Sequence, residues 1–516
     1  MIATASELAF SLYNSAEFGR LRHRLVMPAH FGTAWLHQNL LMHYSIRNVN
    51  ILGGSSISRL IVWLTVLVCL CDRVRNVVQT IKSDVSFDEF QHSHTAWMVY
   101  SGKILYKDFW DNHGPLYADL NAIFLRFFTN PASLETYSTL RIFPVAVILG
   151  TSVAVFFLAK KLRQSSLMAT IAMTVYLSWE VTVARGTEIR PDGLQNLFFV
   201  IGFYCLVYSL TSIHRPKIPA IMCGMFWGLM IATNLKSGIG LIGLFFFYFY
   251  MKWSRKIEKA KLVSIFKWVS IALLFVVGSY SLVLIGQGSM LLFLEKALFD
   301  SFVSVSGADN SIRFTIGSLF EKNGQLTALG LLGAVLYWNK SSASKAMLFS
   351  MVPMAWAFGA MHSQYCLLFL PFLSLFVSST FEGLEKAHEK SIVSSALMVL
   401  LLVFLFGWPN FASKQKPRNQ KYVKSLEWIL NNTDRDEVIA RRWDGDCMGA
   451  ATFNPHMGYL FRPSFDRDLY FSKLSTIAPK YIVADYSKRA PPLEISESYE
   501  KLAGDDDCIW VRKSNH

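Results

Sequence analysis

Asp88, Glu89, His92, His94, Lys103, Lys107, Asp108, Asp111 and His113 stand within one polar stretch, DEFQHSHTAWMVYSGKILYKDFWDNHGPLYADL. Trp97, Tyr100, Tyr106, Trp110 and Tyr117 are interleaved with them. Carboxylates and imidazoles are the side chains that take up and return protons during catalysis, and partial desolvation raises a carboxyl pKa toward neutral pH. The same groups can ligate a divalent metal, although no spacing among them singles one out. A plain connector needs neither this density of ionisable groups nor this many aromatics. The stretch therefore reads as an active-site loop.

Two short helices are expected to position these groups. The first covers 87–101 and stops at Gly102. On it Asp88 and His92, four residues apart, share a face. The second covers 115–128, and amphipathic helices with interfacial aromatics lie in the plane of the lipid headgroups. Further along, Arg185, Glu188, Arg190 and Asp192 form a second polar cluster, followed by the scattered set Lys236, Arg313, His362, Gln364 and Tyr365. Each feature has a plainer reading. Asp88 and Glu89 suit a helix N-terminus through its dipole, and His94 suits interfacial packing. The Arg185–Asp192 cluster can neutralise itself, Lys236 can snorkel to the headgroups, and His362, Gln364 and Tyr365 can form an interfacial turn.

The rest of the chain says where these elements sit. Of 516 residues, 53% are hydrophobic, 17% are charged and 40 are Phe. Apolar runs recur along most of the length, and a membrane-crossing helix needs roughly 20 such residues. Spans are expected at about 51–70, 140–158, 167–183, 194–212, 218–233, 238–253, 265–285, 326–338, 346–361, 365–379 and 392–408, about eleven in all. Continuous rather than alternating apolar runs exclude a β-barrel. The net charge of +14 does not signal nucleic-acid binding, because much of it falls in short loops between spans. Clusters such as Lys160–Lys161–Arg163, Lys252–Arg255–Lys256 and Lys340–Lys345 alternate with the polar clusters above. By the positive-inside rule the basic clusters are cytoplasmic and the Asp88 loop faces out.

The expected organisation is a basic tail over 1–50, cytoplasmic or an over-extended start. A polytopic helical domain follows over 51–411, with its first external loop at 72–139. A small extracytoplasmic α/β domain covers 412–516, with a helix at 422–430 and strands near 437–441, 480–484 and 507–511. Cys69, Cys71, Cys205, Cys223 and Cys366 fall in apolar runs, while Cys447 and Cys508 lie in the last region and can pair if it is outside the cell.

The order of these parts resembles the GT-C superfamily of membrane glycosyltransferases, in particular the branch with protein O-mannosyltransferases and lipid A aminoarabinose transferases. Their first external loop opens on Asp-Glu, as at Asp88–Glu89, and runs through an aromatic helix ending like Ser101–Gly102. It then reaches segments like Tyr106–Lys107–Asp108–Phe109 and His113–Gly114–Pro115–Leu116. Arg190–Pro191–Asp192 is similar to their second external-loop motif, and Gln364, Tyr365 and Pro371 to a late span that begins at the outer surface. His113–Gly114 departs from the Lys-Pro of the aminoarabinose branch.

The resemblance implies a sugar donor linked through phosphate to a polyprenol. It also implies a lipid, glycan or protein acceptor and a setting such as a bacterial inner membrane. Asp88 is then the general base, Glu89 orients a substrate, and Asp192 is a secondary acid. Arg190, Lys236 and Arg313 are candidates for the donor phosphate, with His92, Asp108, Asp111, His113, His362, Gln364 and Tyr365 as further substrate contacts. A membrane transporter is the competing class. It would carry charges near mid-membrane on broken helices and often an internal repeat; here the charges gather at one face and no repeat is visible.

Overall fold

The structure, a computed structural model, describes residues 54–82, 87–109, 111, 113–127, 136, 139–212, 215–254, 257–295, 312–337, 341–358, 363–382, 384–385 and 392–406. In the C-terminal part it describes 439–441, 481–483, 499–501 and 509–513. The 1–50 tail, the helix expected at 422–430, His362, Cys447 and Cys508 lie outside these residues, as do the side chains of Asp88, Arg313, Gln364 and Tyr365.

Among the described residues each apolar run overlaps a helix, although the run expected at 167–183 breaks at Trp179, whose backbone is extended, and the one at 365–379 begins as a 3-10 turn. In chain order these are Gly54–Gln79, Ile142–Lys161, Ser166–Ser178, Pro191–Thr211, Lys217–Thr233, Ile239–Ser254, Lys259–Gly286, Ile312–Tyr337, Ser342–Phe358, Leu370–Thr380 and Ile392–Phe406. Among the described residues, Ile142–Lys161, Pro191–Thr211 and Lys259–Gly286 are long and apolar enough to cross a membrane. Their surfaces agree with a lipid setting. On the last of them Leu274, Phe275 and Leu282 are 65–70% exposed, a contiguous apolar face that water would not tolerate and hydrocarbon does.

The first helix departs from its expected end near residue 70 and continues to Gln79. The extra turns carry Asp72, Arg73, Arg75 and Asn76, groups that can keep a helix going once it has left the apolar layer. Helix reversals are compact. Between Ile142–Lys161 and Ser166–Ser178 the chain turns at Arg163, whose φ is 66°. There Gln164 N–H donates to Ala159 O and Arg163 N–H to Lys160 O, the paired bonds of a left-handed helix stop. Ser165 then caps the next helix by accepting from Met168 N–H.

The centre of the bundle is aromatic. Trp179, Phe199, Phe203, Trp227, Phe372 and Phe376 are buried, and Phe203 meets Phe372 edge to face at 4.6 Å, a favoured ring geometry. Phe199 and Phe203 on Pro191–Thr211 meet Trp227 of Lys217–Thr233 and Phe372 of Leu370–Thr380. Pro191–Thr211 also packs on Ile142–Lys161, and Lys217–Thr233 on Lys259–Gly286.

Charged side chains gather in two groups on this bundle. At one end Lys161 lies over the Tyr208 ring at 3.8 Å, Lys261 donates to Leu210 O and Ser212 O, and Lys345 donates to Tyr250 Oη. The opposite end gathers Glu89, His92, Asp111, His113, Arg141, Arg190 and Asp192. Four short strands near the C-terminus form one sheet in the order β1 (Ile439–Arg441), β2 (Tyr481–Val483), β4 (Ile509–Arg512), β3 (Tyr499–Lys501). The β1–β2 pair is parallel and the other two pairs are antiparallel.

Candidate active site

The polar end is built on the two short helices of the first loop, Phe87–Tyr100 and Pro115–Leu125, packed on each other. The first ends as its sequence requires. Gly102 takes φ +83°, Lys103 N–H reaches Met98 O and Gly102 N–H reaches Val99 O, so glycine sits where a side chain would be strained. The second begins with Pro115 just inside its N-terminus, where a missing N–H costs nothing. Gly114 precedes it and its N–H donates to Thr233 O at 3.1 Å. A Cβ on Gly114 would lie 2.0 Å from Ala232 O. Only glycine lets the turn come this close to the end of Lys217–Thr233, the end that leads directly into Lys236.

Between the two helices the chain makes a tight turn. Asp108 accepts Ile104 N–H at 2.7 Å through its carboxylate, so this exposed acid closes a local turn. Tyr106, at φ 64°, is buried there and donates its hydroxyl to His113 O. Burial, then the charges of Asp111 and Asp119, hold the Tyr106 phenol well above its ordinary pKa.

Asp88 lies in the first turn of its helix. Glu89, beside it, is fully buried and is held from two other segments of the chain. Arg141 Nε donates to Glu89 Oε1 at 2.6 Å and Arg141 Nη2 to Oε2, while Ile189 N–H donates to Oε1 at 3.0 Å. Arg141 Nη1 also donates to Thr80 O. This two-pronged guanidinium–carboxylate pair is the strong form of such a contact. It ties the loop helix to the start of Ile142–Lys161 and to the second polar cluster.

In that cluster Arg190 Nε donates to Asp192 Oδ2 at 2.9 Å and its Nη1 lies 3.7 Å from Glu188 Oε2. Asp192 occupies the first turn of Pro191–Thr211, where the helix dipole favours a carboxylate. Arg185 also pairs with Glu188, so the cluster is largely self-neutralised. Tyr117, buried on the second loop helix, senses the same groups. Its phenol is pushed up mainly by burial, with the charges of Glu89 and Asp192 raising it and that of Arg190 lowering it.

His92 and His113 meet across Asp111. His113 Nδ1 is 3.0 Å from Asp111 Oδ1 and His92 Nδ1 is 3.9 Å from Asp111 Oδ2. The imidazole centroids are 4.8 Å apart, and His92 sits edge-on to Tyr117 at 5.9 Å. All three are buried. The structure therefore brings together Glu89, His92, Asp111, His113, Arg190 and Asp192 through direct contacts and shared neighbours, with half-buried Lys236 following the segment that carries Gly114. Gln364 and Tyr365 belong to a short 3-10 segment, Ser363–Leu368, which packs on Pro191–Thr211. Asp108 faces solvent.

Arg141 and Gln91 are the residues that sequence reasoning passed over, and Tyr117 figures in it only as one of the interleaved aromatics. For Arg141 a signal was present: an arginine at the mouth of an apolar run is costly unless it has a partner.

With this geometry in hand, comparison with known proteins is informative at the level of fold. No family model and no curated protein sequence matches the chain. Among solved structures, ArnT from Cupriavidus metallidurans bound to undecaprenyl phosphate is similar with TM-score 0.59 and 11% identity, over 89% of this chain and 98% of that one. The oligosaccharyltransferase AglB from Archaeoglobus fulgidus, in complex with an inhibitory peptide and a dolichol-phosphate, is similar with TM-score 0.59 and 12% identity, over 83% of this chain and 69% of that one. The chain has the GT-C fold. In the GT-C fold of this chain, the two loop helices and the Arg185–Asp192 segment share one end of the bundle with Lys236, and that end is the candidate active site.

Proposed function

We propose that this protein is an integral membrane glycosyltransferase that moves a sugar from a polyprenyl-phosphate donor to an acceptor hydroxyl. The observation that carries the reading is the convergence of three separate sequence clusters on one buried polar site at a single end of a GT-C bundle. Two solved structures of this fold hold a dolichol-phosphate and an undecaprenyl phosphate, which supports a lipid-phosphate donor here. Ionisable groups at helix ends rather than mid-helix support transfer at an interface over transport through the bilayer.

In this reading about eleven helices cross a membrane such as a bacterial inner membrane. The lysine-rich end faces the cytoplasm, and the site and C-terminal α/β domain face out. The lipid tail lies between helices and the sugar-phosphate emerges beside Lys236. Asp88 takes the proton from the acceptor hydroxyl as its oxygen attacks the anomeric carbon. The bond to the phosphate oxygen breaks on the opposite face, which inverts that centre, and the phosphate leaves with the bonding electrons. A phosphate leaving group needs fixed positive charge more than a proton. Lys236 and Arg313 are assigned to that role, and Arg190, engaged by Glu188 and Asp192, sets the field around it. Glu89 acts by positioning: its grip on Arg141 and Ile189 fixes the helix that carries Asp88.

The test is a membrane assay with a radiolabelled polyprenyl-phosphate sugar. A positioned general base contributes roughly a hundred- to ten-thousand-fold, so Asp88→Asn should lose about that much transfer while the protein still accumulates in the membrane. Wild-type turnover by Asp88→Asn would overturn the assignment of the base.

A further inference from the structure

We infer that His92, Asp111 and His113 form a binding site for one divalent metal ion of the zinc class, with at least one coordination position left for water or an anionic oxygen. One ligand atom from each of the three side chains lies within 4.8 Å of the others, and all three residues are buried. Two imidazoles and one carboxylate are a ligand set that zinc and its neighbours favour, and three protein ligands leave zinc's tetrahedral shell open at one place. Tetrahedral zinc holds its ligands roughly 3.3 Å apart. The Asp111–His113 pair, at 3.0 Å, is already at that spacing. His92 Nδ1 stands 3.9 Å from the other carboxylate oxygen, Asp111 Oδ2, so binding of an ion would draw it inward.

The surroundings are those of a built site. Gln91 Nε2 donates to Asp111 Oδ1 at 3.5 Å, and groups hydrogen-bonded to metal ligands orient them. Tyr106 holds the His113 carbonyl, and the Gly114 contact with Thr233 pins the turn that carries Asp111 and His113. His92 arrives from a different element, the Phe87–Tyr100 helix, so an ion there would clamp the two arms of the loop together. The plainer account is an ion pair in which one imidazole carries a proton beside Asp111. It predicts no affinity for a metal.

The experiment uses the full chain with an affinity tag free of histidine, purified in detergent, stripped with chelator and equilibrated with Zn²⁺. Gel filtration followed by elemental analysis should find about one zinc held tightly per chain. Co²⁺ in its place should give visible d–d absorption of a low-coordinate nitrogen–oxygen site. His92→Ala and His113→Ala should each weaken binding by about a hundredfold or more, and Asp111→Asn by at least about tenfold. His94→Ala, a buried histidine on the same helix outside the trio, should keep it. The site is overturned if the wild type retains no zinc and gives no cobalt bands. It is equally overturned if the His92 and His113 variants, eluting as monodisperse protein, bind like wild type, or if His94→Ala loses as much as they do. Should those alanine variants aggregate, His92→Gln and His113→Gln carry the same comparison. Because binding is read without donor or acceptor, its outcome is separate from that of the transfer assay.

Discussion

Arg141→Met is the perturbation whose cost the structure specifies best. Arg141 is 2% exposed and Glu89 0%, and the guanidinium makes two bonds to that carboxylate and one to Thr80 O. Removing it leaves a buried carboxylate that still accepts from Ile189 N–H but has lost its opposite charge. Breaking a buried pair from one side costs about 3–5 kcal/mol, because the surviving charge has lost its compensation. Glu89→Gln should cost less, since an amide oxygen still accepts from Ile189 while the arginine keeps Thr80. The double variant Glu89→Gln/Arg141→Met removes both charges and should recover about 2 kcal/mol or more relative to the sum of the single changes. The assay is unfolding of the purified protein in mixed micelles, followed by tryptophan fluorescence against denaturant. Simple additivity, or an Arg141→Met protein as stable as wild type, would refute the claim that this pair is the keystone of the site.

Other outcomes follow from single positions. Burial raises the Asp119 carboxyl from 3.8 to about 6, so its stabilising protonation is complete below about pH 4 and lost as pH rises through about 6. Two units correspond to about 3 kcal/mol, which partial exposure reduces to about 1–2 kcal/mol. Asp119→Asn should therefore melt higher than wild type at pH 7 by that amount and match it at pH 4. Gly114→Ala should lose about 1–3 kcal/mol, because its Cβ meets Ala232 O. Gly238→Ala, whose Cβ meets nothing within 4 Å, should stay within about 1 kcal/mol of wild type or gain slightly; equal losses at both positions would refute the packed-turn argument.

What the sequence discloses and what it hides divide along a physical line. The helices are legible because an apolar run is a local signal, and so is the glycine stop at Gly102. The crowding of acids and histidines around Asp88 is also local, and it marks the end of the bundle where Glu89, His92, Asp111 and His113 gather. Their pairing is not. Glu89 finds Arg141 52 residues away and Ile189 100 residues away, and nothing near any of the three names the others. Arg190 is the local case: its sequence neighbours allow either a phosphate contact or a self-neutralising cluster, and Asp192 and Glu188 lie against its guanidinium. The same blindness made Asp108 and Asp111 look alike, although one closes an exposed turn and the other faces two buried imidazoles.

The long reach of these pairings has a consequence for how the molecule is made. Glu89 leaves the ribosome well ahead of Ile189, and at about 5–20 residues per second the wait is roughly 5–20 s. Thr233, which receives the Gly114 N–H, comes later still. In the proposed membrane arrangement the loop helices wait during that interval at the lipid–water boundary with their charges hydrated, a tolerable state for amphipathic segments and a costly one for a membrane-spanning segment. The site thus closes late in synthesis, when the helices ending at Thr233 have been inserted. A chain stalled before that point has its first helices in place but lacks the Thr233 carbonyl that receives the Gly114 N–H.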